Sequence, residues 1–84
     1  MTQRQKLQAL LRDAYRSPIA FRDFEKLLEA YGFTLLRTSG SHKQYVHPKV
    51  PRPLPVQPEG RDAKRYQVRQ LLALIEHYDL HMEP

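Results

Sequence analysis

The feature that most constrains this fold is a run of five prolines between residues 48 and 58. A proline has no backbone N–H, so within a β-sheet it is confined to edge strands, strand ends and bulges. Pro51, Pro53 and Pro55 are two residues apart, and in an extended chain their missing N–H groups lie on one side. Residues 52, 54 and 56 keep their N–H groups on the other side. The run therefore predicts an edge strand that ends near Gln57 and whose outer rim cannot recruit a further strand.

Helical periodicity marks the segment before residue 33. Apolar residues recur there at spacings of three and four, which predicts two amphipathic helices. Thr2 caps the first, which runs to about Tyr15 and is stopped by a Ser-Pro pair. The second covers about Ala20 to Tyr31, and Gly32 is placed to end it in a left-handed conformation.

Three strands and a last helix follow. Phe33–Thr38 and Ser41–His47 are predicted as an antiparallel pair joined by a Ser-Gly turn, with the proline-rich strand next. Residues 59–61 are predicted as a loop, and Asp62 as the N-cap of a helix from Ala63 to about Tyr78. The order α, α, β, β, β, α predicts one α+β domain over residues 1–84, with its helices on one face of the sheet. Within it, residues 1–19 form a helical extension and residues 20–80 the core.

Composition limits the classes of function. The chain has 84 residues and no cysteine, which excludes a disulfide framework, a thiolate zinc site and a cysteine nucleophile. No apolar run approaches the roughly 18 to 20 residues of a membrane span, and no signal-peptide core is visible. We therefore expect neither an integral membrane protein nor a protein secreted by the general route. A domain this small has little room for a deep cleft, so any catalysis takes place on a shallow face.

Basic charge is concentrated in one part of the chain. The formal net charge is +5, but the segment from Arg37 to Arg69 holds eight basic and two acidic residues and carries +6. Such a concentration favours a polyanionic partner such as a nucleic acid. The alternative is an ordinary solvated face.

His42 is the candidate catalytic residue. It follows Gly40 by two residues, and glycine lets a ligand approach the backbone closely. An imidazole can take a proton from a ribose 2′-OH or give one to a leaving 5′-oxygen. The alternative is a surface histidine in a hairpin.

The start of the last helix is the candidate phosphate site. Lys64 and Arg65 fall in its predicted first turn, where positive charge opposes the helix dipole unless an anion binds there. A phosphate would use the free N–H groups and both cations, and Arg61 and Arg69 flank the same position. The alternative is that these side chains are flexible and solvated.

Three further patterns have structural alternatives. Tyr45 and Tyr66 lie in the basic segment and either stack on bases or complete a small core. His77 and His81 have the i, i+4 spacing of metal ligands on a helix, but a third ligand is missing and we expect no metal site. Residues 52–58 also fit a basic-x-x-Pro-x-x-Pro ligand of SH3-type domains, which requires that segment to be exposed and unpaired.

Several motifs, taken in order, resemble one known family. They are Leu27–Phe33, Gly40–His42, Tyr45–Pro48, Leu54–Pro58 and Ala63–Gln70. Together they resemble the HicA family of toxins from bacterial toxin–antitoxin pairs, in a branch with an N-terminal helical extension, over roughly Phe21 to Leu80. Many members carry a second histidine after the third strand. This chain has Gln57 and Pro58 there, so no role of that histidine is transferred.

The resemblance implies a fold like the double-stranded-RNA-binding domain. It also implies a cytoplasmic, metal-independent mRNA endoribonuclease that is neutralised by a HicB-like antitoxin. We further expect no cofactor and no membrane binding. His42 matches the family's catalytic histidine, with Gly40 and Ser41 orienting the scissile phosphate. The residues expected to hold the RNA strand are Lys43, Arg61, Lys64, Arg65 and Arg69. The rival interpretation is a non-catalytic RNA-binding or antitoxin-binding module, which the fold alone cannot separate from an enzyme.

Overall fold

The computed structural model describes residues 2–14 and 16–82. Its three helices and three main strands follow the predicted order. They are α1 (Gln3–Arg12), α2 (Phe21–Ala30), β1 (Thr34–Ser39), β2 (His42–His47), β3 (Val50–Val56) and α3 (Arg65–His77). The strands form one antiparallel sheet in the order β1-β2-β3. The α+β fold, similar to the double-stranded-RNA-binding domain, is therefore confirmed.

Strand β3 is an edge of this sheet, as the proline spacing predicts. Pro55 lies opposite Gln44, while Leu54 and Val56 lie opposite Tyr45 and Lys43 of β2. The prolines therefore leave the inner rim of β3 available for pairing and remove N–H groups from its outer rim. The strand ends at Val56, one residue before the predicted position. Because this segment is paired, the interpretation as an SH3-type ligand is wrong.

The core lies between the helices and one face of the sheet. Tyr45, Leu54 and Val56 are almost completely buried, and the register places them on the same face. They belong to one apolar cluster with residues of the helices and the segments next to them. The helical members include Leu7, Phe24, Leu27, Leu28, Val68 and Leu71. Burial of these side chains is the main stabilising contribution to a domain of this size.

Local capping interactions define the start of α1 and the end of α2. The Thr2 hydroxyl accepts a hydrogen bond from the Gln5 N–H, and the Gln5 side chain returns one to Thr2, which is a capping box. Helix α1 ends at Arg12, before the predicted Tyr15, which lies outside the described residues. Helix α2 ends as predicted, because Gly32 has a φ of +92° and the Phe33 N–H donates to the Leu28 carbonyl.

The prediction for residues 59–64 is wrong in part. Residues 60 and 61 form a turn, as predicted, but Pro58–Glu59 and Asp62–Ala63 on either side of it form two short antiparallel strands, β4 and β5. Asp62 therefore does not cap α3, which begins at Arg65 with Lys64 as its N-cap. The physical reason is pairing with a distant segment: the Ala63 N–H donates to the Ile19 carbonyl at 2.8 Å, and the Phe21 N–H to the Arg61 carbonyl at 2.8 Å. These bonds hold residues 62 and 63 extended next to the start of α2.

Candidate nucleic-acid interface

His42 lies immediately after a tight hairpin turn. It is paired with Ser39 of β1, so that Gly40 and Ser41 form a two-residue loop. Gly40 has a φ of +62°, the conformation that the first loop residue of a type II′ hairpin requires. Apart from Gly40 and its two chain neighbours, no described residue has a heavy atom within 4 Å of the position that a Cβ would take on Gly40. The turn is therefore open to an approaching ligand.

The two residues that begin β2 face opposite sides of the sheet. His42 is exposed and lies on the face away from the helices, because side chains alternate along a strand. Lys43 lies on the helical face, where its Nζ is 2.8 Å from Oε2 of Glu25 and 5.7 Å from the centre of the Phe21 ring. The charge of Lys43 is thus already compensated within the protein, and the RNA contact predicted for it would require Lys43 to give up this ion pair.

Glu25 also accepts a hydrogen bond from Tyr45. The Tyr45 hydroxyl donates to the same Oε2 at 2.6 Å, and the tyrosine is only 1% exposed. Burial, and then the hydrogen bond and charge of Glu25, raise the pKa of Tyr45 well above its usual value. Tyr45 is therefore a packing residue, and its ring is not available for stacking on a base.

Helix α3 begins two residues later than predicted, so the two predicted cations lie at its very start. Lys64 is the N-cap and Arg65 the first helical residue, and neither a capping side chain nor an acidic residue is present in this first turn. Arg61, Arg65 and Arg69 are exposed. Arg65 also donates to the Arg16 carbonyl at 3.5 Å, which links the chain after α1 to this helix. The start of α3 therefore has the charge and the N–H groups that favour an anion.

A pair of glutamines joins β3 to α3, and the only sign of it in the sequence is a polar residue beside an apolar stripe. Gln67 is 3% exposed, and its side-chain oxygen accepts a hydrogen bond from the Gln57 N–H at 3.1 Å. Its Nε2 lies 3.4 Å from the Tyr66 hydroxyl. The side-chain oxygen of Gln57 is buried and lacks a partner among the described residues.

These contacts bring the predicted site residues to one end of the molecule. His42 begins β2 at the end where β3 finishes, since Lys43 lies opposite Val56. The Gln57–Gln67 bond attaches the start of α3 to that end, and the bond from Phe21 to Arg61 attaches the β4–β5 turn to the start of α2. The hairpin turn and the first turn of α3 are therefore neighbours of the same strand end.

The other histidines are engaged elsewhere. His47, at the far end of β2, has Nε2 2.9 Å from the Tyr31 carbonyl, and its Nδ1 accepts from the Lys49 N–H at 3.0 Å. These bonds make Nε2 the protonated nitrogen and give His47 a structural role. His77 packs its ring against Tyr78, and His81 lies 3.3 Å from Asp79. Within residues 2–14 and 16–82, His, Asp and Glu side chains form no group of three that could hold a metal ion.

A family model described as the HicA toxin of bacterial toxin–antitoxin systems matches residues 21–76. This segment is more than half of the chain and includes α2, the strands and nearly all of α3. The chain belongs to the HicA family. As a HicA-family protein it is a toxin of a bacterial toxin–antitoxin system, and its partner is a cognate antitoxin.

Helix α1 lies outside the residues that match the HicA family and forms the N-terminal extension of this member. No curated protein and no solved structure matches the chain. In the described part of the chain, no helix is both long enough and apolar enough to cross a membrane.

Proposed function

We propose that this HicA-family toxin is a metal-independent endoribonuclease that cleaves mRNA in the cytoplasm with His42 as its acid–base residue, and that a HicB-like antitoxin neutralises it. The observation that carries the proposal is the position of His42. It is an exposed imidazole beside an open glycine turn, at the end of the sheet to which the cationic start of α3 is attached.

Cleavage needs two proton transfers, one from the ribose 2′-OH and one to the departing 5′-oxygen. Attack of the ribose 2′-oxygen on the adjacent phosphorus forms a new P–O bond and breaks the bond to the 5′-oxygen, which leaves a 2′,3′-cyclic phosphate and a 5′-hydroxyl. His42 takes the 2′-OH proton or protonates the departing 5′-oxygen, and solvent water accepts or supplies the other proton. Such a group contributes about 10²- to 10⁴-fold, so we expect slow turnover.

Binding and orientation supply the remaining catalysis. The backbone at Gly40 and the Ser41 hydroxyl orient the scissile phosphate, because the turn is open and lies directly before His42. Neighbouring phosphates are bound by the cations at the start of α3, with Arg61 beside them. Fixing the phosphate in this way lowers the entropic cost of the reaction, and the cations stabilise the charge that develops on its oxygens.

The test is cleavage of RNA by the purified protein in the presence of EDTA. We expect the wild-type protein to cut, His42→Ala to lose at least 100-fold of the rate, and His81→Ala to retain it as the matched control. RNA binding by His42→Ala should stay close to that of wild type. Equal cleavage by His42→Ala and wild type would overturn the assignment of His42.

The rival function is a non-catalytic RNA-binding or antitoxin-binding module of the same fold. It is favoured by one observation, the single exposed histidine in the proposed site, which leaves the second proton transfer without an obvious side chain. Binding of RNA by wild type without any cleavage, at every pH between 6 and 9, would establish the rival.

A further inference from the structure

The first turn of α3 exposes an aromatic ring. Tyr66 is 61% exposed, more than the two other large exposed apolar residues of the described chain, Leu35 and Leu36 of β1. A tyrosine ring usually gains stability from burial, and the two buried tyrosines, Tyr31 and Tyr45, follow this rule. The exposure of Tyr66 therefore points to a contact outside the folded chain.

Two arginines are close to Tyr66 in the sequence of α3. Arg65 precedes Tyr66, and Arg69 is three residues further along the same helix face. Both arginines are exposed, and the first turn of α3 has no acidic residue. An aromatic side chain among cations is the arrangement that single-stranded nucleic acid prefers, because a base stacks on the ring while cations neutralise the adjacent phosphates.

The hydroxyl of Tyr66 also contacts a buried side chain. The Tyr66 hydroxyl is 3.4 Å from Nε2 of Gln67, and Gln67 is buried and bound to the backbone of Gln57. Gln57 directly follows β3, whose last residue lies opposite Lys43. Gln67, which contacts Tyr66, is therefore attached to the end of β3. Strand β3 pairs with β2, the strand that begins at His42.

We infer that Tyr66 is a stacking platform for an unpaired base, and hence that the substrate of this site is single-stranded RNA. A base inside a duplex has both faces covered by its neighbours, whereas an unpaired base offers one to the ring. The inference rests on the proposed function only in taking RNA as the ligand. It does not depend on whether His42 cleaves that RNA.

The experiment measures binding to a short single-stranded RNA that contains the fluorescent base 2-aminopurine. The protein carries His42→Ala so that the RNA stays intact. We expect Tyr66→Leu, which keeps an apolar side chain but removes the ring face, to raise Kd by roughly 5- to 100-fold. Tyr66→Phe should bind like the parent, and Leu36→Ala, a change of another exposed apolar residue, is the matched control.

Two further readouts distinguish stacking from other effects. The parent should quench the 2-aminopurine fluorescence and Tyr66→Leu should not, while the salt dependence of binding stays the same because no charge is removed. A duplex of the same sequence should bind with an affinity that Tyr66→Leu leaves unchanged. Because Tyr66 is exposed, thermal unfolding of the variants should match that of the parent.

The inference is overturned if Tyr66→Leu binds and quenches like the parent, or if the parent binds no single-stranded RNA. It is also overturned if Tyr66→Leu retains RNA binding but loses binding to the antitoxin, since the ring is then a protein contact. Loss of the proposed enzymatic function has a different signature, namely wild-type protein that binds single-stranded RNA through Tyr66 but does not cut it.

Discussion

His42 and Lys43 are consecutive residues, yet they lie in different surroundings. The alternation of β2 exposes His42 on the open face of the sheet and turns Lys43 toward Glu25 and Phe21. An ammonium group that binds RNA phosphate from this position has to give up its ion pair. We therefore expect Lys43 to support the strand that carries His42.

This expectation can be tested by the salt dependence of RNA binding. Lys43→Met should leave the slope of log K against log salt nearly unchanged, whereas Lys64→Met should lower it by about one, because each phosphate contact contributes about one counterion. Lys49→Met, in the turn between β2 and β3, is the control for removing a charge. If Lys43→Met lowers the slope as much as Lys64→Met, Lys43 binds phosphate after all.

The hydrogen bond of Tyr45 predicts a dependence of stability on alkaline pH. Burial and Glu25 raise the pKa of Tyr45, so above pH 10 the unfolded chain loses this phenolic proton while the folded chain keeps it. The stabilisation is complete below pH 10 and declines as the pH rises further. We expect a loss on the order of 1 kcal/mol in the free energy of unfolding between pH 10 and 11.

Urea unfolding at pH 8 to 11 measures this effect. Tyr45→Phe removes the phenol but keeps the ring, and its free energy of unfolding should fall less steeply with pH than that of wild type. Parallel curves for the two proteins would show that Tyr45 does not contribute.

Among the elements, the junction of β3 and α3 depends on two glutamines with opposite energetic roles. Gln67 supplies the acceptor for the Gln57 N–H, whereas the side-chain oxygen of Gln57 is buried without a partner among the described residues. A buried polar group in that state costs about 1–3 kcal/mol. The same residue type is therefore stabilising at one position and costly at the other.

Two matched substitutions test this difference. Gln57→Met removes the unpaired amide and keeps the backbone bond, so we expect the free energy of unfolding to rise by about 1 kcal/mol. Gln67→Met leaves the Gln57 N–H without its acceptor and should lower that free energy by about 1–2 kcal/mol. Chemical denaturation of both proteins gives the values, and a loss of stability in both would contradict the assigned roles.

The elements also show what the sequence can reveal. Helices α1 and α2, the three strands and the proline edge are predicted to within about three residues, because their signals are local: periodicity, capping residues and the spacing of prolines. The β4–β5 hairpin is missed because its extended form depends on backbone bonds to Ile19 and Phe21, about forty residues away. An aspartate before a helical pattern looks like an N-cap, and only this distant pairing shows that Asp62 is not one.

Only part of the candidate site can likewise be predicted from the sequence. The histidine beside a glycine turn and the cations of α3 can be recognised in the sequence, because each signal lies within a few residues. Lys43 forms its ion pair with Glu25, and Tyr66 contacts Gln67, which is bound to the backbone of Gln57. No spacing in the sequence indicates these contacts. Their roles follow only from the folded arrangement.

At the scale of the whole molecule, helix α1 completes the core without belonging to the residues that match the HicA family. Leu7 is 5% exposed and lies in the same apolar cluster as α2. The capping box at Thr2 and Gln5 starts the helix independently of the rest of the chain. We therefore expect α1 to stabilise the domain and to have little effect on RNA binding.

Leu7→Ala is the corresponding test. Removing a buried leucine side chain should lower the free energy of unfolding by about 2–4 kcal/mol, while the affinity for single-stranded RNA stays the same at a temperature where the variant is folded. Lys6→Ala, at an exposed neighbouring position, is the control. A weaker affinity for RNA in folded Leu7→Ala would show that α1 acts on the binding surface.

The two edges of the main sheet differ, and this limits how copies of the toxin can assemble. The outer rim of β3 lacks the N–H groups of Pro51, Pro53 and Pro55, while β1 forms the opposite edge without any proline. A fibril needs two usable edges in every chain so that each copy can be followed by another. Two toxin molecules can pair their sheets through β1. Both outer edges of the combined sheet are then formed by β3, which carries the prolines. Growth of the sheet through these edges would then stop at two copies, so we expect the proline run to oppose filament formation by the folded toxin.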